Sequence, residues 1–203
     1  MSSIDIASLR NAAVNPDPFE HVVVRGFLRA RALDDLDRDF PAIARPGSFP
    51  ASALEFGPAF ASLLDELQSK EMAEAVTDKF GIDLSDKPTM ITVRGRCRPS
   101  DGKIHRDSRN KLVTVLIYVN SRWDAGGGRL RLLRGAADID DYAVEVLPDA
   151  GTLLAFRCTE NAWHGHEPYD GERRSIQLNW VASDAYRRRE LARHRFSAFF
   201  KRH

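Results

Sequence analysis

Beyond Pro88 the chain alternates apolar and polar positions in short runs: "TMITVRGRCR", "KLVTVLIYVN", "GRLRLL", "YAVEVL", "GTLLAFRC" and "RRSIQLNWVA". Each is bounded by Gly, Pro, Asp or Asn, and a period of two is the signature of a strand with one buried face. The first 87 residues read differently. "FEHVVVRGFL" (Phe19–Leu28) predicts a short strand, and "ARALDDLDRDF" a helix. The Pro- and Gly-containing stretch from Pro41 to Pro58 reads as loop. "FASLLDELQSKEMAEAVTDKFG" has helical spacing, divides into two helices and closes at Gly81. Helices first and many short strands afterwards predict a mainly β fold. Its form is a jelly-roll-like double sheet with N-terminal helices on the outer face of one sheet. No repeat or linker divides the chain, so residues 1–203 read as one domain. Residues 1–87 form its helical support, 88–182 its β core and 183–203 a basic C-terminal helix.

Composition narrows the class only modestly. With 203 residues, 43% hydrophobic and 29% charged, the chain suits one soluble globular domain. No apolar run has the length of a membrane span or the form of a signal peptide, so no membrane partner is expected. Cys97 and Cys158 are the only cysteines, which suggests two reduced thiols in a cytoplasmic protein. A formal net charge of +1 gives no global reason to expect a nucleic-acid partner. On the segment "YRRRELARHRFSAFFKRH", Leu191, Phe196, Phe199 and Phe200 are positioned to dock on the body while the arginines face solvent.

Candidate chemistry lies in the β-rich part. His105 and Asp107 sit two apart where a strand begins, so in an extended chain both side chains leave one face. Two-His, one-carboxylate metal sites need a third ligand, and "NAWHGHEPY" offers His164 and His166. Further on, Arg173, Ser175, Gln177 and Asn179 share one strand face, whereas Arg174, Ile176, Leu178 and Trp180 share the other. If the polar face lines a cavity, Arg173 and Ser175 are set to grip one carboxylate, the guanidinium fork bidentately.

His105-Arg106-Asp107, "GGGRLRLL", "LPDAGTLLAF", "WHGHEP" and "GERRSI" follow one another in a familiar order. From about Thr89 to Ala182 the chain resembles the iron(II)- and 2-oxoglutarate-dependent dioxygenases, specifically their prolyl 4-hydroxylase-like branch. The resemblance implies a double-stranded β-helix with His105, Asp107 and His164 as iron ligands. His164 is preferred to His166 because the family's distal histidine precedes a proline by four residues, here Pro168. It implies Arg173 as the 2-oxoglutarate-binding base and Tyr118 as a hydrogen-bonding partner of the co-substrate. Where many members carry another co-substrate tyrosine, this chain has Arg98. The implied cofactors are Fe(II), 2-oxoglutarate and O2, with ascorbate as an optional reductant. The implied reaction hydroxylates a small molecule or protein side chain, with succinate and carbon dioxide as co-products.

One strand suggests something about the substrate. Arg94, Arg96 and Arg98 alternate with Val93, Gly95 and Cys97, and three same-face arginines repel one another unless anions screen them. If that face looks into the barrel, the substrate is expected to be anionic: a carboxylate, a phosphate or an acidic sugar. Loops at Pro99–Lys103 and Ala136–Tyr142 are candidates for the rim of the site. A competing reading keeps fold and metal but makes the protein a zinc hydrolase or isomerase without 2-oxoglutarate chemistry. It leaves a carboxylate clamp at Arg173 and Ser175 without a purpose. A third reading gives the activity to the basic C-terminal helix, as a binder of anionic polymers.

Overall fold

The computed structural model describes residues 2–120 and 122–200, with side chains through residue 194. Helices α1 (Ile6–Asn11), α2 (Ala30–Asp39), α3 (Pro58–Leu67) and α4 (Lys70–Phe80) precede the β core, and α5 (Asp184–Phe200) follows it. The strands are β1 (His21–Val24), β2 (Phe49–Pro50), β3 (Thr89–Cys97), β4 (Lys111–Tyr118), β5 (Leu130–Leu133), β6 (Tyr142–Val146), β7 (Leu153–Arg157), β8 (His164–His166) and β9 (Gly171–Val181). They form a six-stranded sheet of order β1-β7-β4-β9-β3-β2 and a three-stranded sheet of order β6-β5-β8, and the paired strands are antiparallel.

The alternation in sequence explains the layering. Val93, Val115, Ile117, Ile176, Leu178 and Trp180 leave one face of the large sheet and are buried against Phe60, Leu63, Leu67, Met72 and Val76 of α3 and α4. The other face contributes Tyr118, Leu154 and Phe156 to a second apolar cluster, completed by Leu130, Leu132 and Val146 of the small sheet. Burying such a side chain is worth roughly 1.5–3 kcal/mol, so the first cluster fixes the helices on the sheet's outer face. The open end between the two sheets is left for polar residues.

Differences from the sequence-based expectations are local. The stretch read as loop before Pro58 contains the two-residue strand β2 and a single 3-10 turn at Ala51–Ala53. Helix α1 was not foreseen; it is capped by the Asp5 carboxylate, which accepts from the Ser8 amide at 3.2 Å. The C-terminal helix is present, and Leu191 is half-buried on it. The expected docking of Phe196, Phe199 and Phe200 lies outside the described side chains.

Candidate active site

Two segments from opposite ends of the β core meet at the open end of the barrel. The His105 amide donates to the His164 carbonyl and the His164 amide to the His105 carbonyl, both at 3.0 Å. This isolated bridge ties the loop before β4 to the start of β8. It brings ligand atoms of His105, Asp107 and His164 within 4.8 Å of one another. Nδ1–H of His105 donates to the Lys103 carbonyl at 2.8 Å, and Nδ1–H of His164 to the Ala162 carbonyl at 3.0 Å. In that tautomer each ring keeps its Nε2 lone pair for a metal. The donor set of two imidazoles and one carboxylate fits Fe(II), with further positions left for other ligands.

Asp107 is braced as a carboxylate. Lys111 Nζ lies 2.7 Å from Oδ1, Thr114 donates to Oδ2 at 2.5 Å, and Asn179 donates to the Thr114 hydroxyl at 2.7 Å. Burial alone would raise its pKa; the charges of Lys111 and His164 and the two hydrogen bonds outweigh it and hold the group at about 2. Burial pushes the neighbouring Cys158 thiol up to about 12, with the Asp107 charge adding to the effect. Cys97 and Cys158 are both free thiols.

Behind the metal cluster a cavity of ≈ 110 Å³ runs between the sheets, reached from His105 and His164 and lined by Thr92, Arg94, His166, Arg173, Ser175 and Gln177. The period-two face of β9 therefore does look inward. Arg173 is only 5% exposed. Its Nε donates to the Gly128 carbonyl at 2.7 Å and its Nη2 to the Tyr118 hydroxyl at 3.4 Å. Tyr118 lies directly across the β4–β9 ladder from Ser175, so phenol, hydroxyl and guanidinium gather at one end of the cavity. Burial raises the Tyr118 pKa against the opposing charge of Arg173, and the phenol stays a neutral donor. Among the described residues no carboxylate lies within 4.0 Å of the Arg173 guanidinium. Its neighbour Arg174 faces the other way, paired with Asp37 and Glu172.

His166 shares the cavity wall but not the ligand cluster. Burial, followed by the charge of Arg173, lowers its pKa to about 4. Burial also brings His164 to about 4, with His105 adding to the effect.

The arginine strand does not form a common face. The register runs from Arg94 opposite Ser175 to Arg96 opposite Glu172, a β-bulge that sets three steps of β9 against two of β3. Gly95 sits at the irregularity, where a Cβ would lie 2.6 Å from Ile43. Arg94 faces the cavity, held by Asp101 at 2.9 Å and by the Ser48 hydroxyl at 3.2 Å. Arg96 turns outward to Asp170 at 3.3 Å, and Arg98 lies over half exposed beside Asp101. The rim loop Pro99–Lys103 does border the site: the Gly102 carbonyl accepts from the His166 amide at 2.8 Å. Sequence reasoning missed the Thr114–Asn179 brace and the Asp101 counter-charge. Asn179 on the polar face of β9 was the one available signal for the former.

Residues 96–182 match the model of the 2OG-Fe(II) oxygenase superfamily. No curated protein matches the chain. Many solved structures resemble it, three of which follow. A viral collagen prolyl hydroxylase from Paramecium Bursaria Chlorella virus-1, in complex with 2-oxoglutarate, is 18% identical with a TM-score of 0.57, covering 81% of this chain and 96% of its own. A Pseudomonas putida prolyl-4-hydroxylase is 19% identical with a TM-score of 0.54, covering 87% and 88%. HygX from Streptomyces hygroscopicus, with nickel and 2-oxoglutarate bound, is 14% identical with a TM-score of 0.53, covering 81% and 83%. At these identities the likeness is one of fold, the double-stranded β-helix. The β core, over residues 96–182, is thus similar to the 2OG-Fe(II) oxygenase superfamily, and the fold is similar to that of the prolyl hydroxylases.

Proposed function

We propose that the protein hydroxylates its substrate with consumption of 2-oxoglutarate and release of succinate and carbon dioxide. In this reading His105, Asp107 and His164 hold Fe(II), and Arg173, Ser175 and Tyr118 take the far carboxylate of 2-oxoglutarate. One observation carries it: a buried guanidinium, without a carboxylate partner among the described residues, lines a cavity whose other end is the His–Asp–His cluster. An uncompensated buried charge is costly, so that end of the cavity is built for an anion. Iron and 2-oxoglutarate, when bound, supply the oxidising power that the side chains lack. The protein's own share is positional. Lys111 and Thr114 keep Asp107 ionised and turned toward the metal position, and the Lys103 and Ala162 carbonyls hold the two imidazoles in their ligating tautomer. Leu116 and Leu130 wall the cavity and limit water.

The expectation of an anionic substrate rested on Arg94, Arg96 and Arg98. Each of them has a carboxylate partner, so the charge that would recognise such a substrate must come from elsewhere.

The test is an anaerobic titration of the Fe(II) protein with 2-oxoglutarate, followed by visible spectroscopy and then by succinate analysis after oxygen is admitted. Bidentate chelation gives a metal-to-ligand charge-transfer band. A Zn-type hydrolase gives neither band nor succinate, and that outcome would overturn the reading.

A further inference from the structure

The metal cluster stands between two cavities of different size and chemistry. The smaller one, ≈ 110 Å³, contains Arg173 and shares His105 and His164 with the cluster. The other is an open groove of ≈ 630 Å³ that shares His105 and Asp107. Pockets for drug-sized ligands run to about 300–1,000 Å³, a range that the groove meets and the smaller cavity does not. At ≈ 110 Å³, a co-substrate in the smaller cavity leaves no room there for a second molecule. The substrate must then approach the metal from the groove.

The groove has an apolar part, made by Ile104, Cys158 and Trp163, and two arginines, Arg106 and Arg109. Arg109 is already paired with Glu160 at 2.6 Å. Arg106 is not: among the described residues no carboxylate lies within 4.0 Å of it. Its guanidinium lies 4.5 Å from the centroid of the Trp163 ring, and Nη1 donates to the Glu160 carbonyl at 2.6 Å. No other hydrogen bond from that guanidinium reaches a described residue, so its Nε and Nη2 remain available. Arg106 also stands between two candidate ligands in the chain, His105 and Asp107.

We infer that the groove receives the substrate, a small molecule with an apolar body and one anionic oxygen group, carboxylate or phosphate, gripped by Arg106. The inference rests on the oxygenase reading and gives it a substrate class. The arginine doing the recognition is the middle residue of the His-Arg-Asp triplet and not the arginine strand. A guanidinium ordered by a ring and a carbonyl loses little freedom when it binds an oxyanion, and the apolar walls supply the remaining contact.

A binding experiment decides it without relying on turnover. Protein loaded with Zn(II) and 2-oxoglutarate and labelled with 5-fluorotryptophan is titrated with phenylacetate, phenyl phosphate and the neutral phenylacetamide. The 19F resonance of Trp163 is assigned with Trp163→Phe. At least one of the two anions should shift that resonance saturably and bind about tenfold or more tightly than the amide, as a charge-assisted contact requires. Arg106→Gln should reduce the preference to about twofold or less, and Arg106→Lys should restore only part of it. The proposal fails if neither anion gives a saturable shift, if the amide binds as tightly as both anions, or if the preference survives in Arg106→Gln. A retained anion preference in a protein that gives no 2-oxoglutarate band would refute the oxygenase reading and keep the groove.

Discussion

His105 and His164 face each other across a two-residue backbone bridge, with their rings 4.3 Å apart between centroids. The backbone hydrogen bonds, not the rings, hold the two positions together, so removing either ring should spare the scaffold. His105→Ala, Asp107→Ala and His164→Ala should each bind Fe(II) more than about 100-fold more weakly, whereas His166→Ala should lose less than about tenfold, as expected of a residue beyond the ligands. Metal content after dialysis against a graded chelator measures both. Loss of iron in His166→Ala with retention in His164→Ala would reverse the ligand assignment.

The co-substrate end gives a contrast between adjacent residues. Arg173 faces the cavity without an acidic partner among the described residues, and Arg174 faces Asp37 and Glu172 on the outer side. Arg173→Ala should weaken 2-oxoglutarate binding by on the order of 2–5 kcal/mol, roughly 30- to 5,000-fold. Arg174→Ala should change it by less than about threefold. Titration of the charge-transfer band in the two variants measures both affinities, and equal losses would contradict the inward face of β9.

Parity was readable on β9 because that strand is central and regular over Ser175–Trp180 against both neighbours. The same reading misjudged β3 because its parity breaks at a bulge. The lone Gly95 within the strand is the one local sign of that bulge, and Ile43 approaches it too closely for a side chain. Three residues are too few to show a period, so β8 was visible only through its histidines. The Asp107 brace needs the β4–β9 register that sets Thr114 opposite Asn179, and alternation within one strand cannot supply a partner. The helices were legible where apolar spacing extended over several turns, as in α3 and α4, and not in the six residues of α1.

Acid should destabilise the metal-free protein in a defined window. Burial lowers both His164 and His166 from 6.5 to about 4. Between those values the unfolded chain binds protons that the folded chain does not, so stability falls as pH drops from 6.5 toward 4. Asp107 acts lower down: its pKa of about 2, against 3.8 for a free carboxyl, makes its contribution complete above about pH 4 and progressively lost toward pH 2. Urea denaturation in chelator should show a loss on the order of a few kcal/mol across the upper window. His164→Asn combined with His166→Asn should flatten it. A wild-type profile that is level from pH 6.5 to 4 would show that the two rings are not held neutral by burial.

The rim loop should depend on one arginine of β3 and not on its neighbours. Arg94 and Asp101 are mostly buried, at 24% and 15% side-chain exposure, and their 2.9 Å pair carries the loop onto the strand. Arg96 and Asp170 are 45% and 60% exposed, where a pair contributes little. Asp101 precedes Gly102, whose φ of +78° and close approach to the His166 ring leave no space for a side chain. Gly102 in turn precedes Lys103, whose carbonyl orients the His105 ring. Loosening Asp101 therefore frees a segment that touches both histidines. Arg94→Ala should speed hydrogen exchange at the Asp101 and His166 amides, which donate to Arg98 and Gly102, by about 5- to 150-fold. That range corresponds to about 1–3 kcal/mol for Asp101 losing its buried partner and keeping only the exposed Arg98. Arg96→Ala should leave both amides within about twofold of wild type. Gly102→Ala should exceed Arg94→Ala at the His166 amide, because a Cβ would lie 2.3 Å from the ring. Equal protection in Arg94→Ala and wild type would mean that the loop is held by its own backbone turn, and the Arg94–Asp101 pair would then have no part in ordering the site.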